Sequence, residues 1–259
     1  MKAVILIAVR MKSSRLPRKA LALIEGKPLI RHLIERLKIA RRISAIILCT
    51  STHAEDGVLV EIARDEGIGW YRGDPDDVLL RFIGAAEQEG ADVVVRVTGD
   101  NPLTDPEYID RMVEAHAQAG ADYTHVEGLP RGTRPEVVSV AALRRAHALA
   151  EDPRWSEYMT HYLRRPDVFR VHTVPADRDV WRPDYRLTVD VPEDLRLLRE
   201  VYARLYGGGR IFPLREVIDV LDRHPWMVAL NASIIESPPD PRMNCRLREV
   251  PVPAAGPGG

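Results

Sequence analysis

The 259-residue sequence predicts an α/β fold built on a largely parallel sheet. Three observations carry that expectation. Ala3–Val9 (AVILIAV) and Asp92–Val97 (DVVVRV) are near-continuous apolar runs, the pattern of strands buried on both faces. Runs of this kind alternate with segments whose apolar residues recur at helical spacing, and no internal repeat breaks the alternation. At 29.2 kDa the chain is long for one ordinary domain but within reach of one large α/β domain. With 45% hydrophobic and 29% charged residues, disorder along the whole length is excluded.

The elements follow in order. After strand Ala3–Val9 and a loop, Pro28 opens a helix in which Leu29, Ile30, Leu33, Ile34 and Leu37 share a face. Ala45–Cys49 is a second strand and residues 54–66 a second helix. A short strand near Trp70–Tyr71 precedes a helix over 75–89, where Asp74 is the expected cap and Asp77 falls in the first turn. Asp92–Val97 and a helix over 106–119 complete the regular half. Further on, Glu136–Val140, Phe169–Val174 and Tyr185–Val189 are predicted strands. Ala141–Ala150, Trp155–Leu163, Pro192–Leu205 and Pro213–Leu221 are predicted helices, with Gly207-Gly208-Gly209 as a break. The Pro- and Gly-rich end is expected to be a mobile tail.

The net charge of −1 argues against a general nucleic-acid binder, but its distribution is uneven. Residues 1–42 hold twelve of the 37 Lys and Arg and only two acids, Glu25 and Glu35, a local net of +10 against −11 for the rest. A basic segment on an acidic body suggests an anion site. The apolar run between Lys2 and Arg10 is too short to span a bilayer, so no membrane association and a cytoplasmic location are expected. Cys49 and Cys245, the only cysteines, form neither a disulfide framework nor a zinc site, which fits a reducing compartment.

Four stretches carry candidate chemistry. Arg10-Met11-Lys12-Ser13-Ser14-Arg15-Leu16-Pro17-Arg18-Lys19 places five cations and two hydroxyls at the carboxyl end of the first strand, where open α/β sheets bind ligands. Guanidinium forks, an ammonium and hydroxyls suit phosphate oxygens. The loop has no glycine, so it is neither a Walker loop nor a dinucleotide fingerprint. The second stretch, Arg96-Val97-Thr98-Gly99-Asp100-Asn101-Pro102, ends a strand on a carboxylate, with Gly99 expected to allow close approach to a phosphate-bound Mg²⁺. An ordinary turn is the competing explanation. In the third, Thr188–Leu195 (TVDVPEDL), Asp190 is placed to share a metal with Asp100, whereas Glu193 and Asp194 suit the dipole of the following helix. Two such carboxylates would repel each other, so a strained site without metal is expected. The fourth is Tyr71–Leu79 (YRGDPDDVL), where structural roles compete with ligand contact. The eight histidines show no metal-ligand spacing, and no Gly-x-Ser-x-Gly elbow is present.

These stretches together resemble a family. The stretch VRMKSSRLPRKAL, then EGKPLI, RGDPDDVL, RVTGDNPLTDP and LTVDVPEDL, occur in the order seen in cytidylyltransferases that activate acidic sugars. The chain is most similar to the SpsF-like branch, related to the acylneuraminate and 3-deoxy-manno-octulosonate enzymes. The resemblance covers residues 1–221. It implies a nucleotide-diphospho-sugar transferase (glycosyltransferase A-like) three-layer α/β/α sandwich and transfer of CMP from CTP to a small anionic acceptor, releasing pyrophosphate. It implies one cytidylyltransferase domain over residues 1–236, with a nucleotide half at about 1–125, an acceptor-side insertion at about 126–180, and a tail at 237–259. Arg10, Ser14, Arg15 and Lys19 would grip the CTP phosphates, and Ala8, at the loop's entry, would also contact the nucleotide. Asp100 and Asp190 would hold Mg²⁺, and Arg72 and Asp77 would lie near the nucleoside. Arg10, Lys19, Asp100 and Asp190 form the expected catalytic set. Arg134, Glu136, Glu157 and Thr160, in the irregular region, are the candidate acceptor contacts. A homodimer is left open.

Two departures stand out. Arg18 occupies a position where such loops often have Gly, and Trp155–Thr160 (WSEYMT) replaces a frequent Arg-Glu-His-Val-Thr. The competing readings are another nucleotidylyltransferase or glycosyltransferase of the same fold, and a nucleotide-binding module without turnover. The first of these lacks its glycine-rich loop, and a glycosyltransferase would show Asp-x-Asp where this chain has Asp100-Asn101-Pro102.

Overall fold

The computed structural model describes residues 1–13, 15–154, 156, 159–234 and 246–248. Its centre is a seven-stranded sheet in the order β5-β4-β1-β6-β8-β7-β9. The strands are β1 (Ala3–Ala8), β4 (Ala45–Ser51), β5 (Gly69–Gly73), β6 (Val93–Thr98), β7 (Tyr123–Glu127), β8 (Glu136–Ser139) and β9 (Val171–Pro175). A separate hairpin pairs β2 (Leu23–Ile24) with β3 (Lys27–Pro28). β8 runs against both of its neighbours, and the other pairings in the large sheet are parallel. The largely parallel α/β sheet expected from the apolar runs is therefore present.

Helices cover both faces. Against one face lie α1 (Leu29–Leu37), α2 (Gly57–Asp65), α4 (Pro106–Ala119), α7 (Pro192–Leu205), α8 (Leu214–Arg223) and α9 (Pro225–Ala229). Against the other lie α3 (Val78–Gln88), α5 (Val140–Leu149) and α6 (Thr160–Leu163). Alternate β1 residues feed the two cores: Ile5 and Ile7 enter the first, Val4 and Leu6 the second. This is the period-two alternation of a strand covered on both sides.

Several elements depart from the sequence expectation for local reasons. The helix expected from residue 75 starts at Val78, because Asp77, not Asp74, is its N-cap: the Asp77 carboxylate accepts from Leu80 N at 2.8 Å. Asp74 instead closes the preceding turn through the N–H groups of Asp76 and Asp77. Tyr185–Val189 is not a strand of the sheet. It is an extended segment joined to the chain by a bridge between Arg131 and Arg186. β7, the β2–β3 hairpin and α9 have no counterpart in the sequence reading. The hairpin turns on Glu25 and Gly26, both at positive φ, as a two-residue turn requires. Of the helix expected over Trp155–Leu163, Thr160–Leu163 is helical, and Trp155, Glu157 and Tyr158 lie outside the described residues. Of the Pro- and Gly-rich end, Leu247 bridges Ala150 and is buried against the second core. No helix among the described residues is long and apolar enough to cross a membrane.

One buried group in this scaffold has a measurable consequence. His116, on α4, is 3% exposed and shares a hydrogen bond with Thr124 Oγ1 of β7. Burial pushes its pKa down to about 4. Between about pH 4 and the ordinary imidazole value near 6.5, the unfolded chain binds a proton that the native state does not. Stability conferred by the neutral ring is complete above that window and is lost as pH falls through it, a change of about 3 kcal/mol. In His116→Asn the acid side of a stability-versus-pH curve should flatten over this interval. An unchanged curve would mean that His116 is protonated in the fold.

Candidate active site

The site lies at the carboxyl edge of the sheet, beyond β1 and β6. Ala8 ends β1, pairing in register with Cys49 of β4 and Thr98 of β6. The following loop is anchored from below. Met11 is buried, its N–H donates to Asp56 Oδ1 at 2.7 Å, and its carbonyl accepts from Arg18 N at 3.3 Å. Asp56, itself 1% exposed, also accepts from the N–H and hydroxyl of Ser51 at the end of β4. Met11 and Arg18 thus close the loop on itself, and Asp56 ties it to the end of β4. Arg10 reaches sideways, donating to the Pro75 carbonyl at 2.7 Å and lying 4.0 Å from Asp76. Ser14 lies outside the described residues.

Lys19, first residue of a short 3₁₀ turn over Lys19–Leu21, projects across the edge. Its ammonium sits between Asp100 Oδ2 at 2.6 Å and Asp190 Oδ1 at 2.9 Å. Asp100 is oriented by the Thr98 hydroxyl, which donates to Oδ1 at 2.6 Å and accepts from Asn101 Nδ2 at 2.7 Å. Gly99 allows a close approach of the backbone to Val9: a Cβ there would lie 2.6 Å from the Val9 side chain. Asp190 is brought to Asp100 by backbone zippering. Val189 N donates to Asp100 O at 2.9 Å, and Leu187 N donates to Arg131 O at 2.7 Å.

Asp190 is wrapped by cations. Arg15 approaches Oδ1 at 3.0 Å, Arg186 donates to Oδ2 at 3.0 Å, and Arg131 lies 3.9 Å away. Arg186 is held in turn by two 2.8 Å bonds to Asp194, a fully buried carboxylate. Asp194 also accepts from the N–H groups of Asp190 and Val191 and from Asn231 Nδ2. Burial opposes the charge on Asp190, but Lys19, Arg15 and Arg186 outweigh it and keep the carboxyl below its ordinary range. Burial likewise opposes the charge on Lys19, and the two carboxylates more than offset it, raising its pKa. The expected repulsion between Asp100 and Asp190 is thereby corrected: Lys19 lies between them, so the pair is neutralised without a metal.

The remaining predicted residues divide. Arg72 donates to the carbonyls of Ser51 and His53, and Asp77 caps α3 while bonding His147 Nε2 at 2.8 Å; both have structural partners. Glu136 opens β8, the strand expected at Glu136–Val140, and is buried among Arg96, Tyr123 and Arg164. Burial raises its pKa, but Arg96, Tyr123, Arg164 and the Thr160 hydroxyl together hold it below the ordinary value. Glu136 and Thr160 are therefore brought together, whereas Glu157 lies outside the described residues. Arg134 donates to the carbonyls of Leu129 and Pro183. Burial lowers its pKa, and so do the nearby guanidiniums of Arg131 and Arg164. Arg131, Arg134 and Arg164 thus gather positive charge on one side of the site.

Sequence reasoning missed Asp56, Arg131, Arg164 and Arg186, and it gave Asp194 only a helix-end role. Arg186, Asp190 and Asp194 recur every four residues, a spacing that suggests a helix face; here a turn before α7 brings them together. No group of three or more His, Cys, Asp or Glu able to hold a metal occurs among the described residues.

A cationic loop and paired carboxylates at the carboxyl edge of a largely parallel sheet mark an α/β enzyme that handles an anionic ligand. The chain belongs to the cytidylyltransferase family, whose model matches residues 4–211. It is 32% identical over 228 residues to the spore coat polysaccharide biosynthesis protein SpsF of Bacillus subtilis, covering 85% of this chain and 94% of that one. It is 30% identical over 151 residues to the 3-deoxy-manno-octulosonate cytidylyltransferase of Geobacter sulfurreducens, covering 56% and 59%. A solved cytidylyltransferase from Leptospira borgpetersenii superposes with a TM-score of 0.82 at 27% identity, over 91% of this chain and 100% of that one. The resemblance drawn from the motifs holds, and the protein is a nucleotidyltransferase with CTP as co-substrate.

Proposed function

We propose that this protein transfers CMP from CTP to a hydroxyl of an acidic sugar in the cytoplasm, with Mg²⁺ bound by Asp100 and Asp190. The observation that carries the reading is the Lys19 ammonium held between those two carboxylates at the mouth of a cationic loop. Two hard carboxylate oxygens facing one cation are a suitable donor set for Mg²⁺, so the residues fit the ion. When bound, the ion neutralises charge developing on the phosphoryl oxygens. Lys19 and Arg15 stand ready to exchange their carboxylate partners for phosphate oxygens. Such charge-assisted contacts, fixed before the reaction, favour the transition state in which pyrophosphate departs. Arg131, Arg134 and Arg164 concentrate positive charge where a sugar carboxylate would be received.

Pyrophosphate release should require CTP together with an acidic sugar and should fall to background with ATP or GTP. Equal turnover with ATP would remove the basis for this reading. Arg134→Gln should raise the acceptor KM about tenfold, the loss expected for one charge-assisted contact, while the CTP KM stays unchanged. An unaltered acceptor KM would place the acceptor pocket elsewhere.

A further inference from the structure

Arg18 adopts φ 57° and ψ 27°, the left-handed region that side chains with a Cβ avoid. Among the described residues only Glu25 shares a positive φ without being glycine, and Glu25 has a local reason in the two-residue β2–β3 turn beside Gly26. Glycine would fill position 18 without strain, and apart from Glu25 the other positive-φ residues described are glycines. The Arg18 side chain does not repay the strain within the protein. It is exposed and has no hydrogen bond or ion pair among the described residues. Its neighbours in the loop differ: Arg10 contacts Pro75, while Arg15 and Lys19 contact the acids.

The backbone at Arg18 has a definite task. Its N–H closes the loop onto Met11 O, and its carbonyl accepts from Leu21 N at 2.9 Å, so the residue fixes the turn that presents Lys19. An exposed guanidinium rooted beside Lys19, on the solvent rim of a loop already carrying three other engaged cations, lacks only an anion. Strain kept at a site of this kind is a pointer to function.

We propose that Arg18 is an additional phosphate-binding residue, one that grips the part of the triphosphate leaving as pyrophosphate. The proposal rests on the nucleotidyl-transfer reading and adds to it a contact that a glycine at this position cannot make. Arg15 and Lys19 lie against Asp190. Arg18 is exposed and outside that network, which leaves its guanidinium for the outer phosphates. A guanidinium fork meets a terminal phosphate with two parallel bonds, so a lysine reproduces the charge but not the second bond.

The test is calorimetric titration of the full chain with CTP and with CMP in one magnesium buffer, comparing wild type, Arg18→Gly and Arg18→Lys, with a melting curve for each. Arg18→Gly should melt at or above the wild-type temperature yet bind CTP at least tenfold more weakly, with CMP affinity within twofold. Arg18→Lys should recover part of the CTP affinity. CTP binding by Arg18→Gly within twofold of wild type would overturn the proposal, as would an equal loss for CMP and CTP, which would report a change of loop shape. A lower melting temperature for Arg18→Gly would likewise assign the side chain to structure. Failure of the wild-type protein to bind CTP would instead remove the nucleotide reading itself.

Discussion

Lys19→Met is expected to lower kcat/KM for CTP by ~10²–10³-fold, the loss of roughly 2.7–4 kcal/mol seen when one preorganised charge-stabilising group is removed from a transition state. Methionine keeps the length and apolar stem of the side chain, so the 3₁₀ turn over Lys19–Leu21 should survive. The substitution leaves Asp100 and Asp190 facing each other without the ammonium now 2.6 and 2.9 Å from them. The variant should therefore lose stability without metal and regain part of it when Mg²⁺ is added. Steady-state kinetics and melting curves with and without Mg²⁺ check both halves. Wild-type turnover in Lys19→Met would sink the catalytic assignment.

Asp190→Asn should have a comparable effect on turnover and a larger one on the fold. The Asp190 side chain is 7% exposed and faces Lys19, Arg15 and Arg186. Removing one member of a buried ion network leaves the others uncompensated, which typically costs about 3–5 kcal/mol. The carboxyl is held below its ordinary range, so its contribution to stability is present above the unfolded carboxylate value near 3.9 and disappears as pH falls through the native value. Asp190→Asn should lose that acid-side dependence. In a double-mutant cycle with Lys19→Met, the two losses should be strongly sub-additive, because each substitution removes the same contact. Additive losses, or a stability unchanged in Asp190→Asn, would show that Asp190 merely precedes the α7 helix.

The apolar runs made most of the sheet legible: Ala3–Val9 and Asp92–Val97 have no other stable home than a doubly covered strand. β7 escaped because Tyr123-Thr124-His125-Val126-Glu127 mixes polar groups into a strand that is mostly buried, with Thr124 committed to His116 and Tyr123 to Glu136. Tyr185–Val189 shows the opposite error. Its β-branched and aromatic pattern is real, but its partners are the loops carrying Arg131 and Asp100, not a sheet edge. Within the site, charge type pointed to the loop carrying Arg10 and Lys19 after β1 and to Asp100 after β6, whereas Asp190 was picked out from a strand that the structure does not form. Their mutual pairing was invisible, because sequence spacing does not say that a lysine 81 residues from one acid and 171 from another will sit between them. Asp56 escaped for a similar reason. A buried carboxylate that works by holding the N–H of Met11 has no motif of its own.

Asn231 lies 20 residues past the end of the family match, yet its amide donates to Asp194 and to the carbonyl of Arg186. Through Arg186 it supports the orientation of Asp190. The working unit of this protein therefore extends beyond its family signature, and the chain beyond α8 and α9 acts as a buttress behind Arg186 and Asp194. A fragment cut at residue 211 would retain the loop, Lys19 and both acids while losing the brace behind one of them. Expression boundaries, chimaeras and transplanted domains need to carry the chain at least through Asn231 if Asp190 is to keep its place.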